Sequence, residues 1–155
     1  MSRPLDAGTE LDVRGVNESG AVVGTASHGG SMQAIIWDGV SANSKFIGVL
    51  GGGSASAAYE INNDRFVAGH SEKRVLIGSL ATGIRNRAFI WHSHFGMYEL
   101  PLAPGSTHCY ARSLNNRTST GAIQVVGHCT VSGKNKAVRW TVLTSTYVHG
   151  IPPLS

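Results

Sequence analysis

Long hydrophobic runs are missing from the sequence. No stretch in its 155 residues approaches the ~18 consecutive apolar residues of a transmembrane helix, and residues 1–10 lack the apolar stretch of a secretion signal. We therefore expect no membrane partner and no cleavable signal. Charge is also scarce, because 14% of the residues are charged and 41% are apolar. This balance excludes a disordered chain and indicates a single folded domain with its own core.

Motifs for catalysis and cofactor binding are absent as well. The G-x-S-x-G pattern of many hydrolases does not occur, and "GHCTVSGKN" (127–135) has one residue too many between its glycines for a phosphate-binding loop. The closest histidines, His92 and His94, would share one face of a strand, but no third metal ligand with a suitable spacing accompanies them. We therefore expect no catalytic residue, no metal and no cofactor, and we predict that the protein is not an enzyme.

Acidic residues are absent from the last third of the chain. All 9 of them lie in residues 1–99, whereas residues 100–155 contain only basic charges, at Arg112, Arg117, Lys134, Lys136 and Arg139. Two interpretations stay open, a surface for an anion or a partner and an ordinary solvated face. A net charge of +4 does not by itself indicate nucleic acid, because phosphate binding needs basic groups gathered on one face. Nucleic acid is therefore not an expected partner.

Cysteine occurs only twice, at Cys109 and Cys129. If a hairpin turns around residue 119, the midpoint of the pair, the two cysteines lie opposite each other on neighbouring strands. Directly opposed strand residues bring their Cβ atoms close enough for a disulfide, which would suit an exported protein. Two buried thiols in a reducing compartment are the alternative.

Each of the three tryptophans, by contrast, is the last residue of a similar short motif. These are "QAIIW" (33–37), "RAFIW" (87–91) and "KAVRW" (136–140). Each is preceded by an apolar pair and a glycine, in "AVVG", "FVAG" and "VVG", and further back by a stretch that ends in asparagine, in "VRGVN", "AYEIN" and "ARSLN". After each tryptophan comes another apolar element, "KFIGVLGG", "MYELPLAPG" or "YVHGIPPL". Three copies of one unit therefore fill the chain.

The turn residues between the apolar stretches of the unit predict four short strands. Asparagine and glycine between the first two apolar stretches are typical of a hairpin turn, and the short apolar phrase before each tryptophan is typical of a strand covered on both faces. We predict an all-β fold of about twelve strands in one repeat domain (1–155), with repeats at about 9–54, 55–107 and 108–155. Four-stranded units of this period fit the blades of a β-propeller or the lobes of a β-trefoil.

The composite pattern of "AYEINNDRFVAG" followed by "RAFIW" resembles the HAF repeat, which occurs in tandem in bacterial proteins that are often extracellular. The resemblance covers residues 11–154 and implies propeller-like blades, although it carries no catalytic motif. The histidine that gives the repeat its name is replaced here by Gln33, Arg87 and Lys136. An extracellular location is likewise only what the resemblance implies.

Three blades are too few for a propeller, which typically has four to eight. Residues 3–8, "RPLDAG", precede the first unit much as "ELPLAPG" precedes the third, so residues 1–8 are expected to be the tail of a preceding unit. Two explanations fit, an excised part of a longer array and a six-bladed ring made by two chains. Because open sheet edges invite pairing, we expect a homo-oligomer and favour a dimer.

The second unit contains an insertion, "HSEKRVLIGSLATGIRNR" (70–87), which makes it longer than the others. Long loops on a rigid scaffold commonly carry contacts, and we expect either an extended hairpin used in a protein contact or a hairpin packed on its own blade. The candidate interaction residues are Lys73, Arg74, Leu76, Ile77, Arg85 and Arg87 in the insertion and Arg139 beside the last tryptophan.

The predicted function is a non-enzymatic binding module with an unidentified protein or glycan ligand. The repeated tryptophans are expected in the core, because apolar residues flank each of them; they are Trp37, Trp91 and Trp140. The alternative is a carbohydrate-binding, lectin-like module in which these three rings form repeated stacking platforms for sugars.

Overall fold

The computed structural model describes residues 10–38 and 43–144, and all regular structure in these ranges is β-strand. The first sheet contains β1 (Leu11–Val16), β2 (Val22–His28), β3 (Ser31–Trp37) and β4 (Ser44–Gly48). The second contains β5 (Ser56–Ile61), β6 (Val67–Ile77), β7 (Ala81–His92) and β8 (Gly96–Glu99). The third contains β9 (Ser106–Leu114), β10 (Ala122–Val131) and β11 (Lys134–Leu143).

Each sheet is an antiparallel meander in which strands adjacent in sequence are hydrogen-bonded neighbours. The prediction of an all-β fold is therefore confirmed. The predicted fourth strand of the last unit, in residues 147–154, and the predicted tail at residues 1–8 lie outside the described residues. Within the described ranges, no strand pairs with a strand of another sheet, so these sheets do not close into the barrel that a β-trefoil requires.

The three sheets stack face on face in chain order. Strand β5 packs across β1, β2 and β3, and β9 packs across β5, β6 and β7. The core between the first two sheets includes Val23, Ile36, Ile61, Phe89 and Trp91. The core between the second and third sheets includes Phe66, Ile90, Leu100, Ile123 and Trp140. The second sheet is thus covered by an apolar layer on each of its faces.

The glycine of each "VVG"-like phrase lies where two backbones approach closely. A Cβ added at Gly24, Gly69 or Gly127 would lie 1.9 to 2.1 Å from a carbonyl oxygen of the first strand of its own sheet. No side chain fits there, since real Cβ contacts are essentially never shorter than 3.0 Å. The repeated glycine is therefore a requirement of packing inside each sheet.

The asparagine of each of the first two units links its sheet to the following sheet. The Asn17 Oδ1 atom accepts a hydrogen bond from the Ala21 amide at 2.9 Å, which closes the hairpin turn, while its Nδ2 donates to the carbonyl oxygen of Asn62 at 3.0 Å. Asn62 repeats the arrangement, accepting from the Phe66 amide at 2.8 Å and donating to the carbonyl oxygen of Asn115 at 2.9 Å. We call Asn17, Asn62 and Asn115 the asparagine relay.

A second line of bonds runs beside the relay in the same direction. The backbone amide of Glu18 donates to Asn63 Oδ1 at 3.0 Å, and the amide of Asn63 donates to Asn116 Oδ1 at 2.8 Å. In both lines the earlier sheet supplies the donor and the later sheet the acceptor. Polar bonds as well as apolar packing therefore fix the order and the spacing of the stack.

Candidate interaction surfaces

The outer face of the third sheet exposes positions that are buried in the first two sheets. Val126 is 45% exposed, whereas Val23 and Ala68, which also lie directly before the repeated glycine, are completely buried. Ala137 is exposed, whereas Ala34 and Ala88 are completely buried. In the first two sheets these positions are covered by the following sheet. We call Val126, His128, Ala137 and Arg139, which are paired across β10 and β11, the third-sheet face.

The asparagine relay also ends at the third sheet. Asn115 Oδ1 accepts a hydrogen bond from the Gln124 amide at 2.7 Å, but its Nδ2 has no acceptor among the residues that the structure describes. Asn115 is exposed, while Asn17 and Asn62 are buried. The corresponding donors of Asn17 and Asn62 are the ones that reach the following sheet.

The opposite end of the stack is apolar. Leu11, Val13 and Val16 are exposed on the edge strand β1. They are paired with β2 residues on the face where Ala26, Ile35 and Trp37 form a separate cluster. This is the face turned away from the second sheet, and we call Leu11, Val13 and Val16 the first-sheet strip.

The insertion of the second unit is an extended hairpin whose base is packed. Arg87 is 7% exposed, its Nε lies 3.2 Å from Glu99 Oε1, and its Nη1 donates to the carbonyl oxygen of Thr107 at 2.6 Å. Lys73 pairs with the same carboxylate. The prediction of Arg87 as a contact residue is corrected here, because this guanidinium is held inside the protein by residues distant in sequence.

The tip of this hairpin is exposed and apolar. Leu80 is 96% exposed and Leu76 is 74% exposed, with Ile77 beside them. Of the remaining candidates, Arg74 is exposed and Arg85 is half-buried on the same hairpin, while Arg139 lies on another sheet. The candidate residues therefore form two separate groups, one on the hairpin and one on the third-sheet face.

All three tryptophans are buried. Trp91 and Trp140 belong to the two cores between sheets, and Trp37 to the cluster on the first sheet. The indole Nε1 of Trp140 donates to the carbonyl oxygen of Pro101 at 2.7 Å, which satisfies its polar atom inside the protein. None of the three rings offers an exposed platform for a sugar.

Of the two alternatives for the cysteines, the structure has the disulfide between Cys109 and Cys129. The two residues are directly opposed in the ladder between β9 and β10, and both are completely buried. The bond therefore closes the hairpin that begins the third sheet.

Reduction of this disulfide is expected to lower the free energy of unfolding by about 3 kcal/mol. Cross-linking a loop of this length lowers the conformational entropy of the unfolded chain, and this loss of entropy destabilises the unfolded state by about the same free energy. Urea unfolding with and without a phosphine reductant measures the loss. The double variant Cys109→Ala, Cys129→Ala should not respond to the reductant. Equal unfolding midpoints for the reduced and oxidised wild type would contradict the expectation.

The first strands of the three sheets, β1, β5 and β9, carry a cluster that sequence reasoning missed. The ladders leave an extra residue at a corresponding position of the first strand of each sheet, Arg14 on β1, Tyr59 on β5 and Arg112 on β9. The three bulges bring these side chains together, since the guanidinium carbons of Arg14 and Arg112 lie 4.8 Å and 4.2 Å from the centroid of the Tyr59 ring. Each residue stands three places before a relay asparagine, and this spacing was the one available signal in the sequence.

His70 adjoins the same cluster. Its ring centroid lies 5.5 Å from that of Tyr59 and 4.8 Å from that of Tyr110. Burial, followed by the positive charges of Arg112 and Arg14, lowers the pKa of His70 to about 4. The imidazole is therefore neutral at physiological pH.

The histidine pair considered for metal binding is already engaged. His92 Nδ1 accepts a hydrogen bond from the amide of His94 at 3.2 Å, so that its Nε2 is the donor to the carbonyl oxygen of Asp64, also at 3.2 Å. Burial is also the main cause that lowers the pKa of His92. In residues 10–38 and 43–144, no three or more histidine, cysteine, aspartate or glutamate residues are grouped as a metal site would need.

No part of residues 10–38 and 43–144 forms a helix of the length and hydropathy needed to cross a membrane. Comparison of the chain with protein-family models, with curated proteins and with solved structures gave no match.

Proposed function

We propose that this protein is a non-enzymatic binding module built of HAF-like, blade-shaped repeats, and that its principal partner is a second copy of itself. The observation that carries the proposal is the third-sheet face, where Val126 and Ala137 are exposed although the corresponding residues of the first two sheets are completely buried. An apolar position that is buried in two repeats and exposed in the last one is typical of an array that continues.

Two copies complete each other under this proposal. The third-sheet face of one copy packs on the first-sheet strip of the other, and twofold symmetry forms both contacts at once. Three sheets from each copy make six, which lies within the range of four to eight blades for a closed propeller. The Nδ2 of Asn115 then finds its acceptor in the other copy, as Asn17 and Asn62 find theirs in the following sheet.

The alternative, in which sugars stack on the three tryptophan rings, is not supported, because all three indole rings are buried. A contact with a different protein through the hairpin tip remains a separate outcome, because Leu76 and Leu80 are strongly exposed. The experiment below tests whether the third-sheet face or the hairpin tip holds two copies together.

Light scattering at tens of micromolar is expected to give twice the chain mass of 16.3 kDa. Val126→Asp should return the protein to a monomer, because it places a charge in the centre of the proposed contact. Leu80→Asp is the matched control and should leave the mass unchanged. A monomeric wild type would overturn self-assembly, and loss of the dimer in Leu80→Asp alone would place the contact at the hairpin instead.

A further inference from the structure

The hairpin of β6 and β7 projects beyond its own sheet. Pairing with β5 ends at Ser71, pairing with β8 ends at Phe89, and the backbone bonds from the preceding linker reach no further than Arg74. Among the described residues, 75–84 are therefore paired only with each other. A two-stranded hairpin without cover is marginally stable in water, and the exposed Leu76 and Leu80 make this one a candidate contact surface.

Apolar side chains lie on both faces of the hairpin tip as well as at its end. Leu76 and Ile84 lie on one face and Ile77 lies on the other, because opposed residues share a face and successive residues alternate. All three are exposed, as is Leu80 in the turn. A flat protein surface or a shallow groove would cover one face only. The boundary of a lipid bilayer surrounds an inserted tip on every side and covers both faces.

The base of the hairpin is positively charged. Residues 73–87 contain no acid and four basic residues, Lys73, Arg74, Arg85 and Arg87. Two carboxylates act on them. Glu99 pairs with Lys73 and Arg87, and a side-chain hydrogen bond from Ser54 is the main cause that lowers the pKa of Glu72. Four positive charges against two negative ones leave a net charge of +2, and the hairpin therefore keeps a positive charge at its base.

The turn between β10 and β11 lies at the same end of the stack. The Arg87 guanidinium donates to the carbonyl oxygen of Thr107, and β9 begins at this point with Ser106 paired to the last residue of β10. Two exposed basic residues, Lys134 and Lys136, directly follow that turn. Residues 100–155 contain no acid, so this turn extends the positive surface at the base of the hairpin.

Two further acidic residues lie near this end, on the first sheet. The carbonyl oxygen of Glu10 accepts a hydrogen bond from the amide of Ser27, close to the turn between β2 and β3, and Asp12 forms an ion pair with Arg14. Of these two carboxylates, only that of Glu10 lacks a basic partner among the described residues. It is outnumbered by the basic groups of the second and third sheets that form no ion pair with the described residues, which are Arg74, Arg85, Lys134 and Lys136.

We propose that the hairpin tip inserts into the surface of a lipid bilayer that carries anionic headgroups. Leu76, Ile77 and Leu80 lie at the boundary of the acyl chains, and Arg74 and Arg85 contact the headgroup phosphates. These arginines stand three and four residues from the last pair before the turn, which is about 10–13 Å along the strands. Apolar segments of peripheral proteins enter to a comparable depth of about 5–10 Å, and arginine side chains extend toward the headgroups.

This mode of binding requires no membrane-spanning segment. The expectation of no membrane partner rested on the lack of a long apolar run, whereas a tip that enters one leaflet needs only a few apolar side chains. Leu76, Ile77 and Leu80 together contain nearly as many carbon atoms as a myristoyl chain, which binds stably when a basic patch accompanies it. The inference does not depend on self-assembly, because the tip belongs neither to the third-sheet face nor to the first-sheet strip.

The test sediments the full chain with vesicles of phosphatidylcholine alone and with vesicles in which about a third of the lipid is anionic phosphatidylglycerol. We expect most of the protein to pellet with the anionic vesicles at about 1 mM lipid, because a partition constant of about 10⁴ M⁻¹, that of a single acyl chain, is sufficient. Binding to the neutral vesicles should be at least about tenfold weaker. An increase from about 0.1 M to about 1 M salt should weaken binding to the anionic vesicles.

Two pairs of variants separate the apolar and the basic contributions. Leu80→Asp should weaken binding to anionic vesicles by at least about tenfold, whereas Ser119→Asp adds the same charge in the turn between β9 and β10, at the opposite end, and should have little effect. Arg74→Gln should weaken binding about fivefold, and Arg117→Gln, in that same opposite turn, should not. All four residues are exposed, so the unfolding midpoints should stay close to that of the wild type.

A fluorescent label reports directly on insertion of the tip. An environment-sensitive dye on Ser79→Cys should shift to shorter wavelength with anionic vesicles, while the same dye on Ser119→Cys should not. The proposal is overturned if the wild type stays in the supernatant with both kinds of vesicle, if it binds both equally, if Leu80→Asp binds like the wild type, or if only the dye at position 119 responds. The first of these results would leave the tip to a protein partner.

Discussion

Gly69→Ala is expected to lower the free energy of unfolding by at least about 3 kcal/mol, which is at the upper end for the insertion of one methyl group. The new Cβ would lie 2.1 Å from the carbonyl oxygen of Ala57 and 2.7 Å from Cζ of the buried Phe89 ring. Neither neighbour can yield, because the carbonyl belongs to β5, which is paired with β6, and the ring fills the core between the first two sheets. Urea unfolding followed by tryptophan fluorescence measures the change.

Gly51→Ala is the matched control for this substitution. Nothing lies within 4 Å of a Cβ at Gly51, and its φ is outside the range that side chains avoid. Its free energy of unfolding should therefore stay within about 0.5 kcal/mol of the wild type. If Gly69→Ala proved as stable as Gly51→Ala, the close approach of backbones in each sheet would not be a packing requirement.

The second large effect is expected for Asn62→Asp, at about 2–3 kcal/mol. The substitution keeps an oxygen that accepts from the Phe66 amide, so the hairpin turn retains its bond. It removes the Nδ2 donor and places a carboxylate oxygen against the carbonyl oxygen of Asn115. Because position 62 is buried, the new charge is not solvated there. Chemical unfolding at neutral pH gives the difference from the wild type.

Asn115→Asp is the control that distinguishes the loss of a bond between sheets from the loss of a bond within a hairpin. It makes the same chemical change at an exposed residue whose Nδ2 has no acceptor within the chain as described, so the stability of the single chain should change by no more than about 0.5 kcal/mol. The same variant should weaken the dimer. Equal losses for Asn62→Asp and Asn115→Asp in dilute solution would show that the bonds between sheets contribute nothing measurable.

The strands could be predicted from the sequence because their signals are local. Asparagine and glycine mark the turn, the glycine marks the close approach, and the tryptophan marks the strand that follows, all within one unit. The register that opposes Cys109 and Cys129 was equally accessible, since a hairpin pairs residues that are equidistant from its turn. Each of these inferences needed only neighbours within one hairpin.

The parts that could not be predicted depend on residues from strands outside the hairpin or from other units. Arg87 looked like a surface residue because its acceptors, Glu99 and the carbonyl of Thr107, follow it only after another strand or more. The cluster of Arg14, Tyr59 and Arg112 requires three bulges. The three residues occupy the same position in their repeats, but a comparison by residue type does not reveal it, because the second repeat has a tyrosine where the others have an arginine. The side-chain bonds between relay asparagines likewise span 45 and 53 residues.

The meander order of the strands also has a kinetic consequence. Nearly all pairing in each sheet joins strands adjacent in sequence, so most closure loops are short and sheets of this kind form faster than those with distant pairings. The second sheet has the longest hairpin and an apolar layer on both faces. We therefore expect backbone amides of β6 and β7 near Gly69 and Phe89 to exchange with deuterium most slowly, while the outer sheets open first and the chain unravels from its ends toward its middle.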